Sequence, residues 1–253
     1  LPEQLYVQQG ARAWWRVTRP LREAAALPAR LARDRMVLAA LAATEARPLP
    51  PWHALGEGGA PAHFARAVEQ AVQRIHSGEL VKVVLARRVA VAFDTPPEPA
   101  ALLARLGQRH PDCIRYAWRR GGKTWLGATP ETLVQVQGRT LHTHALAGTR
   151  SAERAGELLA SAKDRHEHAI VVDAIRRAIA PLTLALPPLR EPVVRRLRGL
   201  AHLHTPIEAT VRAEVDFLHL VQALHPTPAV CGVPAARASI AAGSQCPGAV
   251  PLV

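Results

Sequence analysis

Aromatic residues are scarce in this chain: five Trp, two Tyr and three Phe make up 4% of its 253 residues. So little ring surface offers no stacking platform of the kind that single-strand nucleic-acid binders use. Cysteine is equally sparse. Cys113, Cys231 and Cys246 are odd in number and far apart, which supports neither a disulfide framework nor a Cys-x-x-Cys metal knuckle, so a reducing cytoplasm is the expected setting. No apolar run reaches the roughly 18 to 20 residues needed to span a bilayer, and no membrane partner is expected. The N-terminus, Leu1-Pro2-Glu3-Gln4-Leu5, has no basic flank leading into an apolar core, so it does not read as a signal peptide. It also lacks an initiating Met, as a processed or partial piece would. No repeat period or low-complexity tract is present, which excludes a solenoid.

Acidic residues are in the minority. Thirty-two Lys and Arg against 20 Asp and Glu leave a net charge of +12, with a pI near 11.1, and a basic surface raises a nucleic-acid-binding module as one alternative. The charge is scattered along the length with acids between, so a solvated Arg-rich surface and no nucleic-acid partner are expected. Such a surface also steers anionic small substrates. At 49% hydrophobic content, a chain of this length buries a sizeable core in one large domain or two small ones.

Periodicity places the elements. Gln4–Gln8 and Ala13–Val17 read as strands around a turn at Gly10, followed by a helix from Ala29 to Glu45 that ends before Pro48. Gly56 to Pro61 is a loop by composition. Phe64, Val68, Ala71, Val72 and Ile75 recur at helical spacing, with Gly78 where a C-cap belongs. A helix over Pro99 to Arg109 precedes a meander of strands from Ile114 to Leu146 punctuated by glycines, which implies an antiparallel sheet. Helix resumes from Ser151 to Ile179 with an interruption, and a last helix is expected over Glu214 to Ala223. Strands clustered between helices make this an α+β layered fold.

Four stretches carry candidate chemistry. Leu80 to Phe93 is rich in β-branched residues and apolar on both faces, so it reads as one long strand covered on both sides. Lys82 then projects either into a protein layer, where desolvation lowers its pKa and makes it a base, or toward water with only its stem packed. Glu131, after Thr129-Pro130, reads as a solvated turn residue. Ala147-Gly148-Thr149-Arg150 breaks the strand pattern, and its backbone N–H groups can meet an anion or form only a turn. In Lys163 to Ile179, Val171, Ala174 and Ala178 follow Glu167 at i+4, i+7 and i+11, so a carboxylate heads the inward stripe or sits half wet in the first turn against the helix dipole. If buried, it needs a cation, a metal ion or a proton. His166 and His168 point to different sides, and no His-Glu-x-x-His zinc spacing exists. His202 and His204 read as ordinary strand histidines.

The order of five segments goes further: Ser77-Gly78-Glu79-Leu80-Val81-Lys82-Val83-Val84-Leu85-Ala86-Arg87, Gly127-Ala128-Thr129-Pro130-Glu131, Leu146-Ala147-Gly148-Thr149-Arg150, Lys163-Asp164-Arg165-His166-Glu167-His168, and Leu224-His225-Pro226-Thr227-Pro228-Ala229-Val230-Cys231-Gly232. Together they resemble the chorismate-utilising enzymes, most closely the isochorismate synthases. The resemblance implies an antiparallel two-sheet sandwich with helices on the outside and a Mg²⁺-dependent site between layers. It assigns Lys82 to activating water for attack on C2 of chorismate, Glu131 to protonating the departing C4 hydroxyl, and Glu167 to holding Mg²⁺ against the ring carboxylate. Gly148 and Thr149 would meet a substrate carboxylate, His202 would line the site, and Ala229 and Val230 would flank the ring.

By the same resemblance, Lys82 separates this chain from the ammonia-adding anthranilate synthase component I-like members, which carry Gln there. Salicylate synthases share the Lys and stay open as an alternative. The implied setting is cytoplasmic, with chorismate as the small-molecule partner and menaquinone or siderophore biosynthesis as the purpose, while the oligomeric state, a monomer or larger, stays open. Departures are also visible. Beyond Gly232 the family pattern continues through a helix, two strands, a substrate-binding Arg, a glycine-rich loop and a second Mg²⁺ glutamate. Here Ala235 to Ile240 keeps the helix's beginning, and Ala241 to Pro251 matches no part of it, reading like a frame change and early stop. Ala201 stands where many members have Trp, and the N-terminal part is short. Residues 1–253 are therefore expected to form one partial chorismate-binding domain with a divergent tail at 235–253, and an inactive truncated member is the alternative to an active synthase.

Overall fold

The computed structural model describes residues 4–9, 12–18, 21–42, 48–55, 61–186 and 188–239. The expected turn at Gly10, the helix end at Glu45, the loop at 56–60 and the tail from 240 onward lie outside them. Contacts divide the chain into two units, Leu1–Pro48 and Leu49–Val253. In the first, β1 (Gln4–Gln9) and β2 (Arg12–Val17) pair antiparallel, with Gln4 opposite Val17. A 3₁₀ turn at Leu21–Ala26 runs into α1 (Leu27–Ala42).

The second unit follows with β3 (Trp52–Ala54), α2 (Pro61–His76), β4 (Lys82–Val83), β5 (Val91–Phe93) and α3 (Pro99–Arg109). Next come β6 (Ile114–Arg120), β7 (Lys123–Thr129), β8 (Gln135–Gln137) and β9 (Thr140–Ser151). The chain ends with α4 (Glu157–Ala160), α5 (Ala162–Ile179), β10 (Val193–Leu197), β11 (Leu200–Thr210), α6 (Phe217–Leu224) and β12 (Gly232–Val233). Residues 235–239 open a further helix.

Every pairing among the described strands is antiparallel, as the α+β reading requires. They form one four-stranded sheet, β10-β11-β9-β8, and four two-stranded ribbons. The sheet is specified by alternation. Leu141, Thr143 and Ala145 of β9 and Leu203, Thr205, Ile207 and Ala209 of β11 are buried, while His142, His144, His204 and Glu208 stand on the opposite face. Because the side-chain period is two, a slip of one residue would put the histidines into the core, which fixes the register. Helix α5 lies over the apolar face through Val171, Val172, Ile175 and Ile179, and α6 adds Leu220 and Leu224 to the same cluster. Burial of each such side chain contributes about 1.5–3 kcal/mol.

Three expectations are corrected. The run 80–93 is not one long strand: only Lys82–Val83 pairs with β12 and only Val91–Phe93 with β3. Val81, Val89 and Val91 are exposed. β-branched residues favour an extended backbone, but a strand also needs a ladder partner, and the strand pairing lies toward the two ends of this run. Residues 147–150 do not leave the strand; β9 continues through them, with Gly148 as the extra residue where the register shifts opposite His202 and Leu203. Helix α6 begins after Asp216 and not at Glu214, because Asp216 and His219 form a reciprocal capping box.

Candidate active site

Lys82 is 9% exposed, so it does not snorkel. Pairing of β4 with β12 turns its side chain inward, where Nζ donates to the Pro228 carbonyl at 2.7 Å. Burial pulls its pKa down, against the attraction of Glu167. An amine in that state is available as a base.

Glu131 sits in the turn that follows β7. Its backbone N–H donates to Thr129 Oγ1 at 3.1 Å, and burial raises its carboxyl above the usual range, opposed only by the charge of Lys82. This corrects the solvated-turn reading: the residue is half-buried and electrostatically linked to the amine.

Glu167 lies at the edge of the α5 stripe and does not head it. The buried positions are Asp164, His168, Val171, Val172, Ile175 and Ile179, one residue out of phase with the expected series from Glu167. Its side chain is 32% exposed, with Oε1 3.7 Å from Lys82 Nζ and Oε2 3.6 Å from Lys163 Nζ. Both distances exceed hydrogen-bond range, so these are ion pairs. Glu167 is not buried, so burial does not itself demand a cation, a metal ion or a proton as its partner.

A second group gathers around the β-bulge. Gly148 has φ +71°, and a Cβ there would lie 3.3 Å from Asp164 Cβ. Thr149 Oγ1 and His202 Nδ1 are 3.0 Å apart. Burial lowers the His202 pKa, with the Gly148 backbone opposing it. The first turn of α5 joins the two groups, since Asp164 occupies the space a Cβ at Gly148 would approach and Lys163 reaches both Asp164 and Glu167. Ala229 packs on the main core cluster and Val230 is exposed; both follow the Pro228 carbonyl that holds Lys82.

Two polar contacts near these groups escaped the sequence reading. Asp164, side chain 4% exposed, accepts from Arg150 Nε at 3.0 Å and Nη2 at 2.8 Å. Burial works against its charge, but hydrogen bonds with Ser161 and Arg150 hold the carboxyl below the ordinary range. This pair ties the bulged strand to the helix start. His168 Nε2 lies 2.8 Å from Thr205 Oγ1, and burial brings the ring's pKa to about 4, so it is neutral. The signal was present in the i, i+4 spacing of Asp164 and His168, phased with Val171, Val172 and Ile175.

Among the described residues no group of three or more His, Cys, Asp or Glu could hold a metal ion. A single half-exposed carboxylate with room for water still suits Mg²⁺, which binds oxygen and often uses only one or two carboxylates besides substrate oxygens.

Comparison with known proteins matches residues 1–242 to the family model described as chorismate binding enzyme. Over 179 residues the chain is 43% identical to the salicylate biosynthesis isochorismate synthase of Pseudomonas aeruginosa, covering 68% of this chain and 37% of that relative. It is 36% identical over 190 residues to the isochorismate synthase DhbC of Bacillus subtilis, covering 69% of this chain and 48% of that one. The chain thus spans less than half the length of these curated relatives. Among solved structures, the Bacillus anthracis protein described as a "putative 2,3-dihydroxybenzoate-specific isochorismate synthase, DhbC" superposes with a TM-score of 0.71 at 30% identity, over 81% of this chain and 58% of that one.

Proposed function

This chain belongs to the chorismate-binding enzyme family, and from that premise we propose that its site converts chorismate to isochorismate. The observation that carries the reading is a buried amine, Lys82, whose charge is felt by a half-buried carboxyl, Glu131, with each group moved by burial toward its neutral form. A neutral amine takes a proton from water, and a neutral carboxylic acid gives one to a leaving hydroxyl. That is the opposed pair an addition–displacement needs near neutral pH.

Lys82 Nζ accepts a proton from water as its oxygen bonds to ring C2. The two ring double bonds shift by one position, the C4–O bond breaks, and Glu131 supplies the proton that lets the C4 hydroxyl leave as water. Water is consumed and released once each, so the net reaction is an isomerisation. The Pro228 carbonyl holds the amine in place. Gly148, Thr149 and His202 would receive a substrate carboxylate, and Ala229 and Val230 would flank the ring. Glu167 is the residue that would hold Mg²⁺, and the ion would neutralise the ring carboxylate and draw electron density from the diene. Lys163, 82% exposed, is free to turn away and leave a Glu167 oxygen open.

Turnover of chorismate by the full chain with Mg²⁺, followed by chromatography, tests this. Isochorismate is the expected product, and Lys82→Ala and Glu131→Gln should each reduce its formation about 10²-fold or more. Salicylate with pyruvate as the first product, or wild-type turnover in Lys82→Ala, would overturn the reading.

A further inference from the structure

The Glu131 turn spans the gap between β7 and β8 and carries little structure of its own. Two consecutive β9 residues hold it. Thr143 Oγ1 donates to the Leu133 carbonyl at 2.7 Å, and His144 Nε2 lies 3.2 Å from the Thr132 amide nitrogen. Their side chains leave the strand on opposite faces, Thr143 buried and His144 on the other side. A backbone N–H can only donate, so His144 Nε2 must carry a lone pair and the ring must be the neutral tautomer protonated on Nδ1.

The surroundings favour that neutral ring. Burial is the largest cause of its low pKa of about 4, followed by His204 of β11 and Arg195 of β10. The His204 ring centroid is 5.0 Å away at 56°. His142, Arg190, Glu208 and Gln135 line the same cleft of about 240 Å³.

We infer that His144 is a positioning residue for Glu131: its Nε2 lone pair fixes the Thr132 amide, and with it the peptide that carries the acidic side chain toward Lys82. The inference rests on reading Glu131 as the general acid. Without the acceptor, a half-buried N–H loses its partner, the turn relaxes, and the carboxyl gains water. Both its placement and its raised pKa are then lost together.

The test compares His144→Gln, whose amide oxygen replaces Nε2 as acceptor, with His144→Phe, which keeps a ring and removes the acceptor, using Glu131→Gln as a control. For His144→Phe, kcat should fall about 10- to 100-fold while KM changes less than about twofold, the size expected of a misplaced catalytic group. His144→Gln should recover kcat to within about threefold of wild type. Titration of the Glu131 carboxyl by ¹³C NMR should move to lower pH in the Phe variant only. Identical behaviour of the two variants would overturn the inference, because the acceptor would then make no difference; an impaired Gln variant beside a wild-type-like Phe variant would overturn it too, because ring volume would then matter. Wild-type turnover in Glu131→Gln would instead defeat the acid assignment, leaving the Glu131 titration in the Phe variant to decide whether His144 positions the turn. In the unaltered chain, ¹⁵N NMR showing His144 protonated on Nε2 would by itself sink the proposal.

Discussion

Lys82 and Glu131 show how one loss of water gives opposite chemistry to groups of opposite charge. Desolvation disfavours whichever form is ionised, so the amine's pKa falls and the carboxyl's rises. His144 obeys the same rule, and its consequence for stability has a definite sign. In the unfolded chain its imidazole takes up a proton near 6.5, in the folded chain only near 4. Stability from the neutral ring is therefore complete above about pH 6.5 and is lost as pH falls toward 4, a change on the order of 1–3 kcal/mol. His168 contributes in the same direction and range, so the informative measurement is a difference. The melting temperature should fall between pH 6.5 and 4 in both wild type and His144→Gln, but less in the variant. Equal slopes would show that His144 is not protected from protonation. The residue types at these positions were readable from the sequence. Their burial was not, since Glu131 in a Thr-Pro-Glu turn looks like any solvated acid until neighbouring segments close over it.

Element α5 carries a lesson about phase. Two apolar series share Val171, one starting from Glu167 and one from Asp164, and a 3.6-residue period tolerates both. The sheet selects the second, so Asp164 and His168 are buried and Glu167 stays at the edge, open enough for an ion. The bulge at Gly148 meets the same helix turn. A Cβ there would sit 3.3 Å from Asp164 Cβ and 3.4 Å from its carbonyl oxygen, on a backbone of φ +71°. Gly148→Ala should accordingly cost about 1–3 kcal/mol in denaturant unfolding, from left-handed strain and crowding combined. An unchanged midpoint would mean the bulge relaxes freely. The segment 80–93 shows the converse limit: its composition announced an extended chain, but ladder pairing depends on partners far away in sequence, and only its two ends find them.

On the scale of the molecule, the net charge of +12 acts over distances set by salt. On the proposed function the substrate bears two carboxylates, and its binding should then weaken several-fold between about 20 mM and about 300 mM salt, as the Debye length shrinks from roughly 20 Å to roughly 6 Å. Calorimetric titration at the two ionic strengths measures this, and a flat response would show that long-range charge does not contribute to binding. No helix among the described residues is long and apolar enough to cross a membrane.

The sequence by itself determined the inventory and its order: an amine, two carboxylates and a glycine among five segments whose succession marks the family, together with the two-residue alternation that makes β9 and β11 a sheet. These are properties of neighbouring residues, and local periodicity records them. Only the tertiary structure decided that Lys82 faces the Pro228 carbonyl and Glu167, that His144 holds the Glu131 turn, and that Arg150 locks onto Asp164. Each of those contacts joins positions separated by other secondary-structure elements, and burial and charge become chemistry only when chain pairing brings such positions within a few ångströms.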